Sequence, residues 1–185
     1  ATLVEAKASL GEALRGKAVD WTVVAKGGQI KDGRFAGSLK LETGGWYTLT
    51  VRFRKSADDQ AGLGEATVEK VGVGDVFVTA GQSNSVNYGN PRQKSSETLS
   101  VYFDGKKFTP AADPIPDACG DGGTPWPILG DMLSRTTRAP VCFRSATVNW
   151  VRVREWVPGA GSHEAMSNIA TGIIETVRRR RTGAV

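Results

Sequence analysis

A strand-like apolar run, "VFVT", gives way after Ala80 to Gly81-Gln82-Ser83-Asn84-Ser85. A serine in this setting is a candidate nucleophile. Glycine lets the backbone turn sharply, and the small neighbours leave the hydroxyl accessible. Ligands of open α/β sheets bind beyond the carboxyl ends of the strands. The Ser83 backbone N–H would also be available to an oxyanion hole. Gln82 and Asn84 flank it with amides that can hydrogen-bond a substrate. On spacing alone G-x-S is weak, and an ordinary polar turn is the commoner outcome.

Other chemistries find less support. The chain of 185 residues holds one histidine, His163, and two cysteines, Cys119 and Cys142. Neither cysteine has a partner at metal-ligand spacing, and no metal or cofactor is expected. A disulfide stays open, beside the reading of a loop thiol and a buried strand thiol. The net charge of +5 includes Arg178, Arg179, Arg180 and Arg181, and without those four it falls to +1. The basicity is a local tail, where a nucleic-acid partner would need a basic face with aromatics among the charges. No apolar run approaches the roughly 20 residues that span a bilayer. An apolar content of 39% with 23% charged residues suits a globular chain. No secretory signal is visible, and the start at Ala1 is consistent with removal of a leader.

The elements that must position Ser83 fall into two parts. Residues 1–72 read as all-β, a small sandwich, with runs such as "VDWTVVA", "FAGSLKL" and "WYTLTVRFR" between Gly-rich turns. Tyr47, Leu49, Val51 and Phe53 alternate with more polar neighbours, the period of a half-buried strand. "ADDQAGLGE" reads as a loop and "EATVEKV" as another strand. Residues 73–185 read as α/β. "VFVTA" lacks alternation, as a central parallel strand buried on both faces does. "LSVYFDGKKFTP" reads as a hairpin about Asp104-Gly105. "GDGGTPWPILGDMLSRTT" reads as a loop entering a helix, with Thr124 as cap, Pro125 first in the helix, and Trp126, Leu129, Met132 and Leu133 on one face. "APVCFRSATVNW" reads as a second buried strand. In "SHEAMSNIATGIIETVRRRR", Met166, Ile169, Ala170, Ile173, Ile174 and Val177 follow the helical template, with the arginines at the end favoured by the macrodipole. Two clear parallel strands are few for an open sheet of about five or six, so the α/β part is expected to be incomplete, with an exposed edge and apolar face.

"GDVFVTAGQSNS" resembles the first sequence block of the SGNH hydrolases, in the form carried by sialate O-acetylesterases and related carbohydrate acetylesterases. "GGWYTLTVRFR" resembles the end of the β-domain that often precedes their catalytic domain. "GDGGTPWPILGDMLSRTTRAPV" and "REWVPG" resemble later segments, so that the likeness covers about residues 40–177. It implies a flavodoxin-like three-layer sheet, with Ser83 as nucleophile and contributor to the oxyanion hole. It further implies metal-independent removal of acetyl groups from carbohydrates, and secretion or a periplasmic location. The family's base is a histidine in D-x-x-H. Here His163 has Ala160 three residues before it, and it reads as an exposed residue of the last helix. The family's W-H-Q-G-E-like block is also absent, and a C-terminally truncated hydrolase lacking its base is the expectation. The alternative is a non-catalytic carbohydrate-binding or structural module. Where relatives carry a G-G-T-S-like stretch, this chain has Asn149, Trp150, Val151 and Arg152. Asn149 is a candidate oxyanion donor or a strand-end turn residue. Arg152 is a candidate partner for a substrate carboxylate or a surface arginine. Trp126 and Trp150 are candidates for stacking on a sugar or for core packing.

Overall fold

A computed structural model describes residues 2–13, 15–59, 61–104, 106–147, 150 and 152–157. The chain divides into two units, Ala1–Gly74 and Asp75–Val185.

The first unit is built on one antiparallel sheet of β1 (Leu3–Ala13), β2 (Val19–Lys26), β3 (Gly45–Arg54) and β4 (Gly64–Val73), in the order β2-β1-β3-β4. Alternation sets its faces. Val4, Ala6 and Ala8 of β1 are buried and lie opposite Phe53, Val51 and Leu49 of β3. Tyr47 is also buried, with its hydroxyl donating to Glu42 O at 2.7 Å. The run "FAGSLKL" forms no strand. Phe35 instead packs edge-on to Phe53, with ring centroids 5.4 Å apart. Gly37 passes so close to β2 that a Cβ would lie 2.7 Å from Val24 O. The strand-like composition of this run is used for cover, not for pairing. Among the described residues the unit therefore holds a single sheet, where the sequence suggested two.

On the opposite face Glu5 accepts hydrogen bonds from Arg52 Nε at 2.9 Å and an Arg54 guanidinium nitrogen at 3.1 Å. Arg52 in turn stacks 3.8 Å from the Trp21 ring. Burial pushes the Glu5 carboxyl up, but hydrogen bonds from Arg54 and Arg52 and their positive charges outweigh it, leaving it below the usual glutamate range. A depressed carboxylate stabilises the fold fully above its unfolded value, and that contribution is lost as pH falls through the folded one. Acidification from about pH 5 to about pH 3 is therefore expected to destabilise the protein more than it does Glu5→Gln. That variant should be the less stable of the two at neutral pH. Chemical unfolding at several pH values checks this, and parallel pH curves would refute it.

The second unit contains β5 (Asp75–Thr79), β6 (Ser100–Phe103), β7 (Phe108–Pro110), α1 (Trp126–Thr137) and β8 (Val141–Ser145), with sheet order β5-β8-β6-β7. Strands β5 and β6 both run parallel to β8, and β7 is antiparallel to β6. Asp104 Oδ1 accepts the N–H groups of Lys106 and Lys107, each at 2.8 Å, and closes the β6–β7 turn. The chain is thus mixed α/β, with two sheets and one α-helix among the described residues.

The strand leading to Ser83 is not the central one. β5 pairs only with β8 among the described residues, and Val76 and Phe77 remain 44% and 38% exposed. The buried interior strands are β8 and β6. An unbroken apolar run marks a parallel strand without marking its place in the sheet. The core gathers Tyr102, Ala111, Ile115, Val141 and Phe143, with Trp126, Leu129 and Leu133 of α1 packed against it. Met132 is 60% exposed, contrary to the face read from the sequence. Pro125 is the cap of α1, not its first residue.

The helix meets the sheet through small residues, because Gly130 lies directly over Ser100 and the Phe143 ring. A Cβ there would collide with Ser100 Oγ and lie 3.0 Å from Phe143. Ser100 Oγ is itself buried without a hydrogen-bond partner among the described residues. Unsatisfied buried hydroxyls cost free energy. Ser100→Ala is therefore expected to keep or raise stability, by up to about 1 kcal/mol. Gly130→Ala is expected to lose about 1–3 kcal/mol through overpacking. Thermal unfolding of the two variants tests both signs.

Candidate functional site

β5 delivers the chain to Gly81, whose φ of +148° is a backbone conformation L side chains rarely adopt. A Cβ at Gly81 would also lie 2.5 Å from Ser85 Oγ. Ser83–Ser85 then form one 3-10 turn, closed by Ser85 N–H donating to Gln82 O at 2.7 Å. Trp126 holds this turn from beneath. Its indole Nε1 donates to Ser85 O at 3.1 Å, and its ring packs on Phe143, centroids 5.7 Å apart. Trp126 is thus a packing and positioning residue. Ser83 and Asn84 are exposed, and no described residue hydrogen-bonds the Ser83 hydroxyl.

Ser83 and Asn84 open onto a cleft of about 490 Å³, which Tyr88, Asn90, Gln93 and Thr124 also line. One carboxylate joins two of its walls. Asp113 Oδ2 accepts the backbone N–H groups of Gln93 and Thr124, each at 2.8 Å. Its Oδ1 accepts the Thr124 hydroxyl at 2.7 Å and the Tyr102 hydroxyl at 3.2 Å. Burial pushes the Tyr102 phenol far up, so it stays protonated and can donate. Buried Asn87 ties the Ser83 segment to the next loop, donating to Ile115 O at 3.1 Å and accepting from Ile115 N at 2.7 Å.

A second carboxylate fixes the chain leaving the cleft. Asp131 of α1 accepts the hydroxyls of Ser95 and Ser96 and the Ser96 N–H. Burial pushes its carboxyl up, but the bonds from Ser95 and Ser96 outweigh that and hold it below the usual aspartate range. The cleft is therefore preorganised by interactions far apart in sequence.

The residues singled out from the sequence divide. Ser83 and Asn84 share the cleft, whereas Gln82 is exposed at the start of the turn and does not line it. Arg152 is exposed and also outside the lining, its N–H donating to Glu155 Oε2 at 2.6 Å. Trp150 is 92% exposed. Asn149, His163 and the expected terminal helix lie outside the described residues. Cys119 is exposed and Cys142 buried, and neither forms a disulfide among the described residues. Among the described residues no group of three or more His, Cys, Asp or Glu side chains could hold a metal ion, and no helix is long and apolar enough to cross a membrane. Sequence reasoning missed Tyr88, Asn90, Gln93 and Asp113. The first three stand in "VNYGNPRQ", and a polar, aromatic stretch directly after a strand-end turn was the available signal.

No family model matches the chain. No curated protein matches it either. Four chains of solved structures do. One is a carbohydrate acetylesterase from Xanthomonas citri, similar with a TM-score of 0.39 and 16% identity over 87% of this chain. The chain spans 38% of that protein's length.

Proposed function

We propose that this chain carries the nucleophile-bearing part of an SGNH-type serine esterase that removes O-acetyl groups from carbohydrates. One observation carries the reading: an exposed serine on a glycine-led turn, just past the carboxyl end of a parallel strand, opening into a preorganised cleft. On this reading β5, β8 and β6 belong to a flavodoxin-like three-layer domain, and the enzyme works secreted or in the periplasm. Ser83 Oγ attacks the acetyl carbonyl, and its proton passes to a base. The Ser83 N–H stabilises the oxyanion. The sugar hydroxyl departs with a proton and leaves an acetyl-serine, which water hydrolyses to acetate. The D-x-x-H base of the resembled family is not in this sequence, so His163, its one histidine, is the base only by default and the one to test.

The experiment is reaction of the full chain with a fluorophosphonate, followed by peptide mass spectrometry. The expected result is one adduct, on the peptide containing Ser83, formed more slowly in His163→Gln. No adduct, or one on another residue, would overturn the assignment of Ser83. A second reading, a non-catalytic carbohydrate-binding module, is favoured by the Ser83 hydroxyl having no hydrogen-bonded base among the described residues. Sugar binding without any adduct is its signature.

A further inference from the structure

We infer that the Ser83 cleft accepts a neutral pyranoside ring and discriminates against sugars that carry a carboxylate. This rests on the esterase reading for the ester that is cut, while ring binding can be measured apart from cutting. Every described residue lining the cleft is neutral at pH 7. Asn84, Asn90 and Gln93 each bring a primary amide, which both donates and accepts hydrogen bonds. Sugar hydroxyls do the same, so each amide can meet a hydroxyl in either sense. Tyr88, 58% exposed, and the rings of Pro91 and Pro125 supply apolar surface in the same cleft. A pyranose presents C–H groups on its ring faces and hydroxyls at its edge. A tyrosine ring with amides around it matches both.

The lining is poorly suited to an anion. A carboxylate moved from water against this lining, which holds no cation among the described residues, loses hydration that amides replace only in part. Arg92, next in sequence to the lining residue Pro91, pairs with Asp121 at 3.6 Å and does not itself line the cleft. Arg152, the arginine that the sequence offered for a substrate carboxylate, does not line it either.

The test is binding of methyl glucoside and methyl glucuronide to the full chain, by titration calorimetry at neutral pH and low salt. The two probes differ only in a hydroxymethyl against a carboxylate. Glucoside should bind, and glucuronide at least about tenfold more weakly. Tyr88→Ala should weaken glucoside binding by about tenfold, with Tyr88→Trp restoring it. Circular dichroism will verify that both variants fold. Glucuronide binding as tightly as glucoside, no binding of either probe, or Tyr88→Ala binding like the parent would each overturn the inference. A fluorophosphonate adduct at Ser83 without glycoside binding would defeat this inference alone. Glycoside binding without an adduct would defeat the esterase reading alone.

Discussion

Ser83→Ala is expected to lower the hydrolysis of an aryl acetate by about 10³-fold or more, to the rate seen without protein. The variant loses one oxygen from an exposed side chain that no described residue hydrogen-bonds. Nothing in the packing is disturbed, so the unfolding midpoint should move by no more than about 0.5 kcal/mol of stability. The cleft keeps Tyr88, Asn90 and Gln93, and glycoside binding should survive the substitution. Loss of turnover with binding and stability retained is the pattern of a nucleophile removed from an intact site. Turnover unchanged in Ser83→Ala would mean that ester cleavage occurs elsewhere on the chain.

Asp113→Ala is expected to destabilise the protein by about 3 kcal/mol or more and to open the cleft. The carboxylate accepts four hydrogen bonds, from Gln93 N, Thr124 N, Thr124 Oγ1 and the Tyr102 hydroxyl. Tyr102 and Thr124 are buried, so their polar groups lose the partner without gaining water. Each buried group left unpaired costs about 1–3 kcal/mol. Asp113→Asn should fall between the parent and alanine. Its oxygen can still face the two hydroxyls, but its amide would turn N–H groups toward the Gln93 and Thr124 N–H groups, donor against donor. Gln93 and Thr124 line the cleft, so glycoside binding should weaken at temperatures where the variant is still folded. Urea unfolding and calorimetry together test this. An alanine variant as stable as the parent would show that Asp113 is not the clasp.

Local patterns were legible wherever a short stretch determines its own structure. Asp104 closes the β6–β7 turn with its own side chain. Gly81 supplies the conformation that turns β5 into the serine turn. Cys142 sits in an apolar strand and Cys119 in a loop. Other readings failed where composition names a need without naming the partner that meets it. "FAGSLKL" has strand residues, yet Phe35 packs half-buried against Phe53 without joining the sheet. Met132 is apolar and in phase with Leu129, yet α1 approaches the sheet through Gly130, which rotates Met132 outward.

The sequence by itself therefore determined the nucleophile candidate, the change from all-β to α/β character and most strand and helix segments. These follow from periodicity and turn chemistry, which act over a few residues. Tertiary structure alone decided that β5 pairs on one side among the described residues, that Trp126 holds the serine turn across 41 positions, and that Asp113 reaches Gln93 across 20. Hydrogen bonds of that span depend on which strands are neighbours and how closely a helix packs on them. No local pattern encodes either, because the side chains meet only once the sheet has brought distant segments together.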